Sequence, residues 1–348
     1  MRACMVQSAP PVASMTSMER NRWTAILRGA GAPAFLVTDA ANLRYLCGAE
    51  AEGCLLLITA KRRLLFVSPL DLERLRHAVR RGICVRPLRQ VAKVMERVRR
   101  CACEAEHVSL ARMGRWKRSF KNTKFVHVSG LLEEMRRVKE PEEIRWFRRA
   151  QRITRMLLTR AERALTAPMS ERELAWKLAV WAKELKADGL AFPPIVGFGA
   201  HTSCPHHHPT NRKCRRRDIV QIDVGVKVHG YCSDQSAVFF TGEPTRRQAQ
   251  VLLAVRQAFR AAKRTVRAGA STHAVDQAAR DVLRKHGFHR YFTHALGHGV
   301  GLEVHEPPTI STKAKRDVLR AGEIVTVEPG VYIPGEFGIR LEEEVIVR

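Results

Sequence analysis

Acidic side chains are scarce in this 348-residue chain: 34 Asp and Glu stand against 61 Lys and Arg, a net charge of +27 at neutral pH. Aromatic residues are also few, at 6%. No stretch approaches the ~20 consecutive apolar residues of a membrane-spanning helix. The opening MRACMVQSAPPVASMTS lacks the apolar run of a signal peptide, and residues 1–18 read as a disordered leader. Paired C-x-x-C spacings are missing, and the nine cysteines are scattered and odd in number, which excludes zinc ribbons and a disulfide framework. These absences point to a cytoplasmic protein with reduced thiols and no membrane association. The basic excess would suit a nucleic acid or an acidic surface. However, about 46 of the 61 basic residues are Arg, as GC-rich codon usage would produce, and they are spread along the chain. Aromatics are too sparse to interleave with the small basic clusters at 61–63, 97–100, 115–118 and 212–217, so the pattern argues against a nucleic-acid partner.

Length predicts two domains, and 45% hydrophobic content is ample for their cores. In residues 19–138 the apolar runs AFLVTD, CLLLITA, RLLFVSPL and ICVRPL alternate with helical stretches at 71–80 and 88–104. That alternation predicts an α/β domain, and nothing in it has metal-ligand spacing. RRVKEPEEIRWF marks a boundary, with a second domain over 139–348. Pro141 suits a first helical turn, Glu142 and Glu143 complement its dipole, and Ile144, Phe147, Ile153 and Leu157 recur at helical spacing. Ser170 with Glu173, and Thr245 with Gln248, predict capping boxes that open two further helices, and a fourth spans 271–286. Strand-like stretches lie between and after these helices, so this half reads as α+β.

Five residues in those stretches form a candidate metal cluster: Asp223, Asp234, His298, Glu328 and Glu342. In IDVGVKVHGYCSD, Val220, Ile222, Val224 and Val226 alternate, which sends Asp223 to the opposite face of a strand. A hairpin centred between Val228 and His229 would set Asp223 directly across from Asp234, and a shift of two would keep both on one face. Facing carboxylates destabilise a ladder unless positive charge lies between them. HALGHGVGLEVHE carries His294, His298 and His305 with interleaved glycines that permit close backbone approach. Oxygen ligands with one imidazole suit Mn(II), Fe(II) or Co(II), with Zn(II) also possible.

The order of these motifs (Asp, Asp eleven positions on, GHGVGLEVHE, VEPG, GIRLE) resembles the pita-bread metallopeptidases, which include methionine aminopeptidase, prolidase and aminopeptidase P. LVTDAANLRYLCG resembles the creatinase-like domain that precedes the catalytic domain of the Xaa-Pro enzymes, and FPPIVGFGAHTSCPHHHPTNRK the stretch holding their substrate-side histidine. The resemblance implies a creatinase-like α/β domain followed by an α+β pita-bread domain. It implies a two-metal exopeptidase, with Mn(II) first among the metals, acting on peptides with proline in second position. Asp223 then matches a ligand of one metal, Asp234 and Glu342 the bridging carboxylates, and His298 and Glu328 ligands of the second. His206, seventeen residues before Asp223, matches the histidine that contacts the scissile carbonyl; His207 and His208 compete for that role. His305 matches a second catalytic histidine, Glu328 also the proton shuttle, and His294 a residue lining the substrate pocket. Tyr332 and Arg340 match residues supporting that side of the centre. A homodimer is implied as well.

Three departures stand out. Ser236, Ala237 and Val238 replace Thr-Arg-Thr after the second aspartate, Arg217 replaces a glycine before Asp218, and the chain stops at Arg348, soon after the last ligand, which puts the hold on its final strand in question. Other readings are a methionine aminopeptidase-like enzyme, a non-catalytic pita-bread binding module to which the +27 charge would be relevant, and a metal-free creatinase-like hydrolase. Intact ligand positions weigh against the last two.

Overall fold

The structure, a computed structural model, describes residues 17–314 and 317–348. Its Cα packing separates two compact units that divide between Met135 and Arg136. Most of the expected leader lies outside the described residues, and Ser17 and Met18 already belong to a helix.

The first unit runs α1 (Ser17–Gly29), β1 (Ala34–Val37), α2 (Ala40–Cys47), β2 (Leu55–Thr59), β3 (Arg63–Val67), α3 (Leu72–Ala78), β4 (Cys84–Pro87), α4 (Val91–Met95), β5 (Arg100–Glu104), α5 (Leu110–Ser119), β6 (Lys124–Val128) and α6 (Leu131–Arg137), the last leading into the second unit. Its six strands form one mixed sheet in the order β4-β3-β2-β1-β5-β6. The helical stretch expected over 88–104 is wrong beyond α4. Residues Arg100–Glu104 form β5, because Cys101 and Cys103 pack into the core and the strand pairs in parallel with both β1 and β6. β6, whose KFVHV alternation is mixed in polarity, was not anticipated.

The second unit opens with α7 (Pro141–Ala164) and α8 (Glu171–Glu184). Strands β7 (Gly189–Leu190), β8 (Ile195–Phe198), β9 (Ile219–Val224), β10 (Val226–Val228), β11 (Tyr231–Cys232) and β12 (Gln235–Phe240) follow. Then come α9 (Arg246–Thr265), α10 (Thr272–Lys285), β13 (Gly297–Gly299), β14 (Glu306–Ile310), β15 (Ile324–Val327), β16 (Gly330–Ile333), β17 (Phe337–Arg340) and β18 (Glu343–Ile346). The named strand pairs of this unit are antiparallel. The expected capping boxes are present: Ser170 N donates to Glu173 at 2.6 Å and Thr245 N to Gln248 at 2.8 Å. Each helix pair covers its own set of strands. Ile153 and Leu157 of α7, with Leu174 and Leu178 of α8, pack on Val196, Val220, Ile222 and Val224. Val251 and Val255 of α9, with Val275 and Leu283 of α10, pack on Val325, Val327, Val331 and Ile339. Burying those faces against helices leaves the opposite strand faces to carry polar side chains toward one another.

The central hairpin differs from its expected register by two residues. Val228 pairs with Tyr231 across His229 and Gly230, which both have positive φ, so Asp223 lies opposite Ser236 rather than Asp234. Positive φ at both central residues is what a two-residue hairpin turn requires, and it places the turn one position later than the valine alternation suggests. The shift is even, so both aspartates stay on one face. Arg217, where the resemblance expects glycine, adopts φ +69 in a turn closed by Asp218, whose Oδ2 accepts from Arg215 N at 2.7 Å. That is the left-handed region where glycine carries least strain. The final strand, whose hold the sequence left in question, is well tied: β18 pairs with β15 over four residues, and Val347 N donates to Glu323 O at 2.8 Å.

Gly225, between β9 and β10, is where the hairpin needs backbone proximity: a Cβ there would lie 1.9 Å from Ser233 O. Gly225→Ala is expected to destabilise the protein by ~2 kcal/mol or more, because neither backbone has room to move. A urea midpoint equal to that of the parent would refute this register.

Candidate metal centre

The polar strand faces converge. Asp223 is the penultimate residue of β9, Asp234 precedes β12, His298 is central in β13, Glu328 follows β15, and Glu342 lies between β17 and β18. Gly297 and Gly299 allow the backbone of β13 to run against its neighbours, since a Cβ on them would fall 2.1 Å from Thr326 O and 2.2 Å from Pro307 O. Ligand atoms gather into overlapping trios, each within 4.8 Å: Asp223, Asp234 and Glu342; His298, Glu328 and Glu342; Asp234, His298 and His305. Asp234, Glu342 and His298 are each shared between two trios, and of these the two carboxylates have a second oxygen with which to bridge.

The donor set fits divalent cations. Asp223 Oδ1 and Asp234 Oδ1 are buried and accept no hydrogen bond. Burial and the neighbouring carboxylates Glu342, Asp223 and Glu328 push Asp234 well above the usual range, and burial with Glu328 and Asp223 does the same to Glu342. Burial raises Glu328 to about 8. Carboxyls so crowded stay ionised only when opposite charge joins them. His298 Nδ1 lies 3.0 Å from Gly299 O and donates to it, which leaves the Nε2 lone pair toward Asp234 Oδ2 at 3.6 Å and Glu328 Oε1 at 3.4 Å. Burial lowers this imidazole to about 4, so it is neutral and able to act as a ligand.

Arg340 supplies the protein's own positive charge. Its Nη2 contacts Asp223 Oδ2 at 2.6 Å, its Nε donates to Ser236 Oγ at 2.8 Å, and its Nη1 donates to Tyr332 Oη at 2.9 Å. Ser236 in turn donates to Glu342 Oε2 at 2.8 Å. The substitution at Ser236 thus keeps a hydroxyl between guanidinium and ligand, a role that its spacing did not reveal. Tyr332 Oη lies 3.0 Å from His294 Nε2, while His294 Nδ1 lies 2.7 Å from Ala295 O. Arg340, Tyr332 and His294 therefore form one relay of hydrogen bonds. His294 and Arg340 line the cavity with their polar atoms already engaged, and Tyr332 sits behind them.

Three further residues were missed. Thr326 Oγ1 accepts from His298 N at 3.1 Å, Glu344 accepts from Asp234 N at 2.6 Å, and Glu171 is bonded to His207 Nε2 at 2.9 Å. The last contact engages His207 Nε2 with a buried carboxylate. Burial pushes His294 down to about 4, and the charges of Arg340 and His206 act in the same direction; His206 likewise adds to the lowering of His305 by lost solvation. His206, His294 and His305 all line one cavity.

Antiparallel sheets backed by two helix pairs, with a cation-requiring carboxylate pocket on their inner faces, define a metal-dependent peptidase of pita-bread type. The chain belongs to metallopeptidase family M24: residues 145–348 match that family, and residues 20–138 match the creatinase/prolidase N-terminal domain. It is 29% identical over 316 residues to a Xaa-Pro dipeptidase of Pyrococcus horikoshii, covering 90% of each chain. Among solved structures, it resembles the X-Pro aminopeptidase of Thermotoga maritima at 30% identity and a TM-score of 0.86, covering 94% of this chain and 95% of that one. A Xaa-Pro dipeptidase of Bacillus anthracis gives 28% identity and a TM-score of 0.89 over 95% and 94%. No helix among the described residues is long and apolar enough to cross a membrane.

The raised carboxyls give a stability prediction. Between their ordinary range near ~4 and their raised folded values, these groups are ionised in the unfolded chain but protonated in the metal-free fold. The metal-free protein therefore loses stability as pH rises through that window. Cations need deprotonated ligands and offset the loss. The gain in Tm on adding Mn(II) to chelator-treated protein should be larger at about pH 8 than at about pH 6 by scanning calorimetry. An equal gain at both would place metal binding outside this cluster.

Proposed function

We propose that the chain is a metal-dependent exopeptidase that releases an N-terminal residue from a following proline. The observation that carries this reading is the composition of one cavity of about 730 Å³. Its floor holds the metal-ligand carboxylates, and its walls include Phe192, Pro193, Pro194, Ile195 and Pro307, apolar surfaces suited to a pyrrolidine ring. His206 and His305 line the same space. The working metal in this proposal is Mn(II), the working assembly a homodimer and the location the cytoplasm. The catalytic domain is taken as 139–348, preceded by a creatinase-like domain from 19 to 138.

A bond to proline is a tertiary amide without N–H, so an enzyme for it must grip the carbonyl and protonate the leaving nitrogen. When bound, divalent cations supply Lewis acidity and lower the pKa of water in the pocket. His206 and His305 present N–H groups to the scissile carbonyl and stabilise the oxyanion that develops there. Glu328 takes the proton of the attacking water on its carboxyl oxygen and passes it to the proline nitrogen. In this proposal the substrate's free amine binds beside Asp223, which Arg340 orients, and cleavage is thereby restricted to the chain terminus.

Xaa-Pro dipeptides and tripeptides, assayed with and without Mn(II) beside Met-Ala peptides, test the proposal. Cleavage before proline is expected, lost in Asp234→Ala and Glu342→Ala and lowered ~10²-fold in kcat by His206→Ala. Turnover of Met-Ala but not of Xaa-Pro peptides would select the methionine aminopeptidase-like reading. Full activity after chelation would refute metal dependence.

A further inference from the structure

Glu171 is the first residue of α8, and its side chain is fully buried more than 25 residues in sequence from every side-chain or loop group that it holds. Its Oε1 accepts from Phe198 N at 2.9 Å and from His201 Nδ1 at 2.8 Å. Its Oε2 accepts from Thr210 N at 2.9 Å, Thr210 Oγ1 at 2.6 Å and His207 Nε2 at 2.9 Å. Five donors saturate one carboxylate. Burial alone would raise its pKa, but the hydrogen bonds from Thr210, His207 and Phe198 outweigh it and hold the group at about 2. The carboxylate is ionised throughout the working pH range.

These donors bracket the segment that carries His206. The His201 and His207 rings lie 4.5 Å apart against the same carboxylate. His206 follows Pro205, whose carbonyl accepts from Arg340 Nη1 at 3.3 Å, and precedes His207, whose ring is bound by Glu171. His206 itself is exposed to the cavity. Its place is therefore set by its chain neighbours, one tied to the metal-side arginine and the other to Glu171.

We infer that Glu171 is a positioning residue for the reaction: through His201, His207 and Thr210 it holds the loop that aims His206 at the substrate carbonyl. The inference rests on the proposed role of His206. A carboxylate in this place suits the task, because only a fully ionised acceptor satisfies two imidazole N–H groups, two backbone amides and a hydroxyl at once. A neutral amide at 171 would present an N–H to donors and push the loop away.

A double-mutant cycle on the Mn(II)-loaded full chain, with an Xaa-Pro dipeptide as substrate, tests this. Glu171→Gln is expected to lower kcat ~10-fold with KM changed less than ~2-fold, and to lower it less than ~2-fold further in the His206→Ala background. If Glu171→Gln does not fold, His207→Ala takes its place in the same cycle, with a smaller loss and the same non-additivity. Losses that multiply would overturn the inference and leave Glu171 a purely structural residue. Loss of one bound metal per chain in Glu171→Gln, by elemental analysis, would overturn it in favour of a metal site at Glu171, His201 and His207. A parent protein inactive on the dipeptide would instead fail the proposed function, which keeps the two failures distinct.

Discussion

Bringing Asp223, Asp234, Glu328 and Glu342 into one buried pocket is unfavourable unless opposite charge accompanies them, and the second unit is arranged around supplying it. Arg340 is the internal part of that supply. Burial would drive its charge off, yet Tyr332, Asp223, Glu342 and Glu328 hold its pKa well above the ordinary value, so the guanidinium stays charged. One guanidinium does not balance four carboxylates, and the orphaned Asp223 Oδ1 and Asp234 Oδ1 mark where further cations belong. A buried pair of this kind contributes geometry more than stability. Removing Arg340 would leave Asp223, Ser236 and Tyr332 without their common partner.

The scaffold meets this demand by giving each strand one face for packing and one for chemistry. Val220, Ile222 and Val224 are buried under α7 and α8, which turns Asp223 inward; Val325 and Val327 pack toward α9 and α10, which leaves Thr326 to reach His298. The two helix pairs thus anchor opposite sides of one site. Hydrogen bonds across that site run between residues more than 100 positions apart, as from Arg340 to Asp223 and from Ser236 to Glu342. A site assembled from such long-range contacts forms only when both halves of the unit have folded.

The candidate ligands are legible in the sequence because metal binding demands particular residue types, and the spacing of Asp223, Asp234, His298, Glu328 and Glu342 carries a family resemblance. Capping boxes at Ser170 and Thr245 were legible because they are local chemistry. The hairpin register was two residues out, since valine alternation sets the face of a strand but the turn at His229 and Gly230 sets its pairing. The sequence of β5 reads as helix because its small buried Cys101, Ala102 and Cys103 show no strand alternation. Ser236 was read as a mere departure, and Glu171 and Glu344 were missed, because their meaning lies in partners that only the fold brings to them.

Those buried carboxylates divide into two kinds, and hydrogen-bond satisfaction is what separates them. Glu171 takes five donors, and Glu344 takes donors from Asp234, Gln235 and Gln151. In the first unit, Glu104 takes donors from Thr38, Asp39 and Asn42. Glu306, beside His305, is held by Lys139 and Arg136. Such donors outweigh desolvation at Glu171, whose carboxyl is held low, and offset it in part at Glu104 and Glu344, whose carboxyls burial still raises. Asp223 and Asp234 instead keep a buried oxygen with no donor. An unsatisfied acceptor in such surroundings is tolerated where something outside the polypeptide completes it. That criterion sets Asp223 and Asp234 apart from Glu171, Glu344, Glu104 and Glu306. The satisfied carboxylates tie loops and strands together, and the two with an orphaned oxygen belong to the candidate metal cluster.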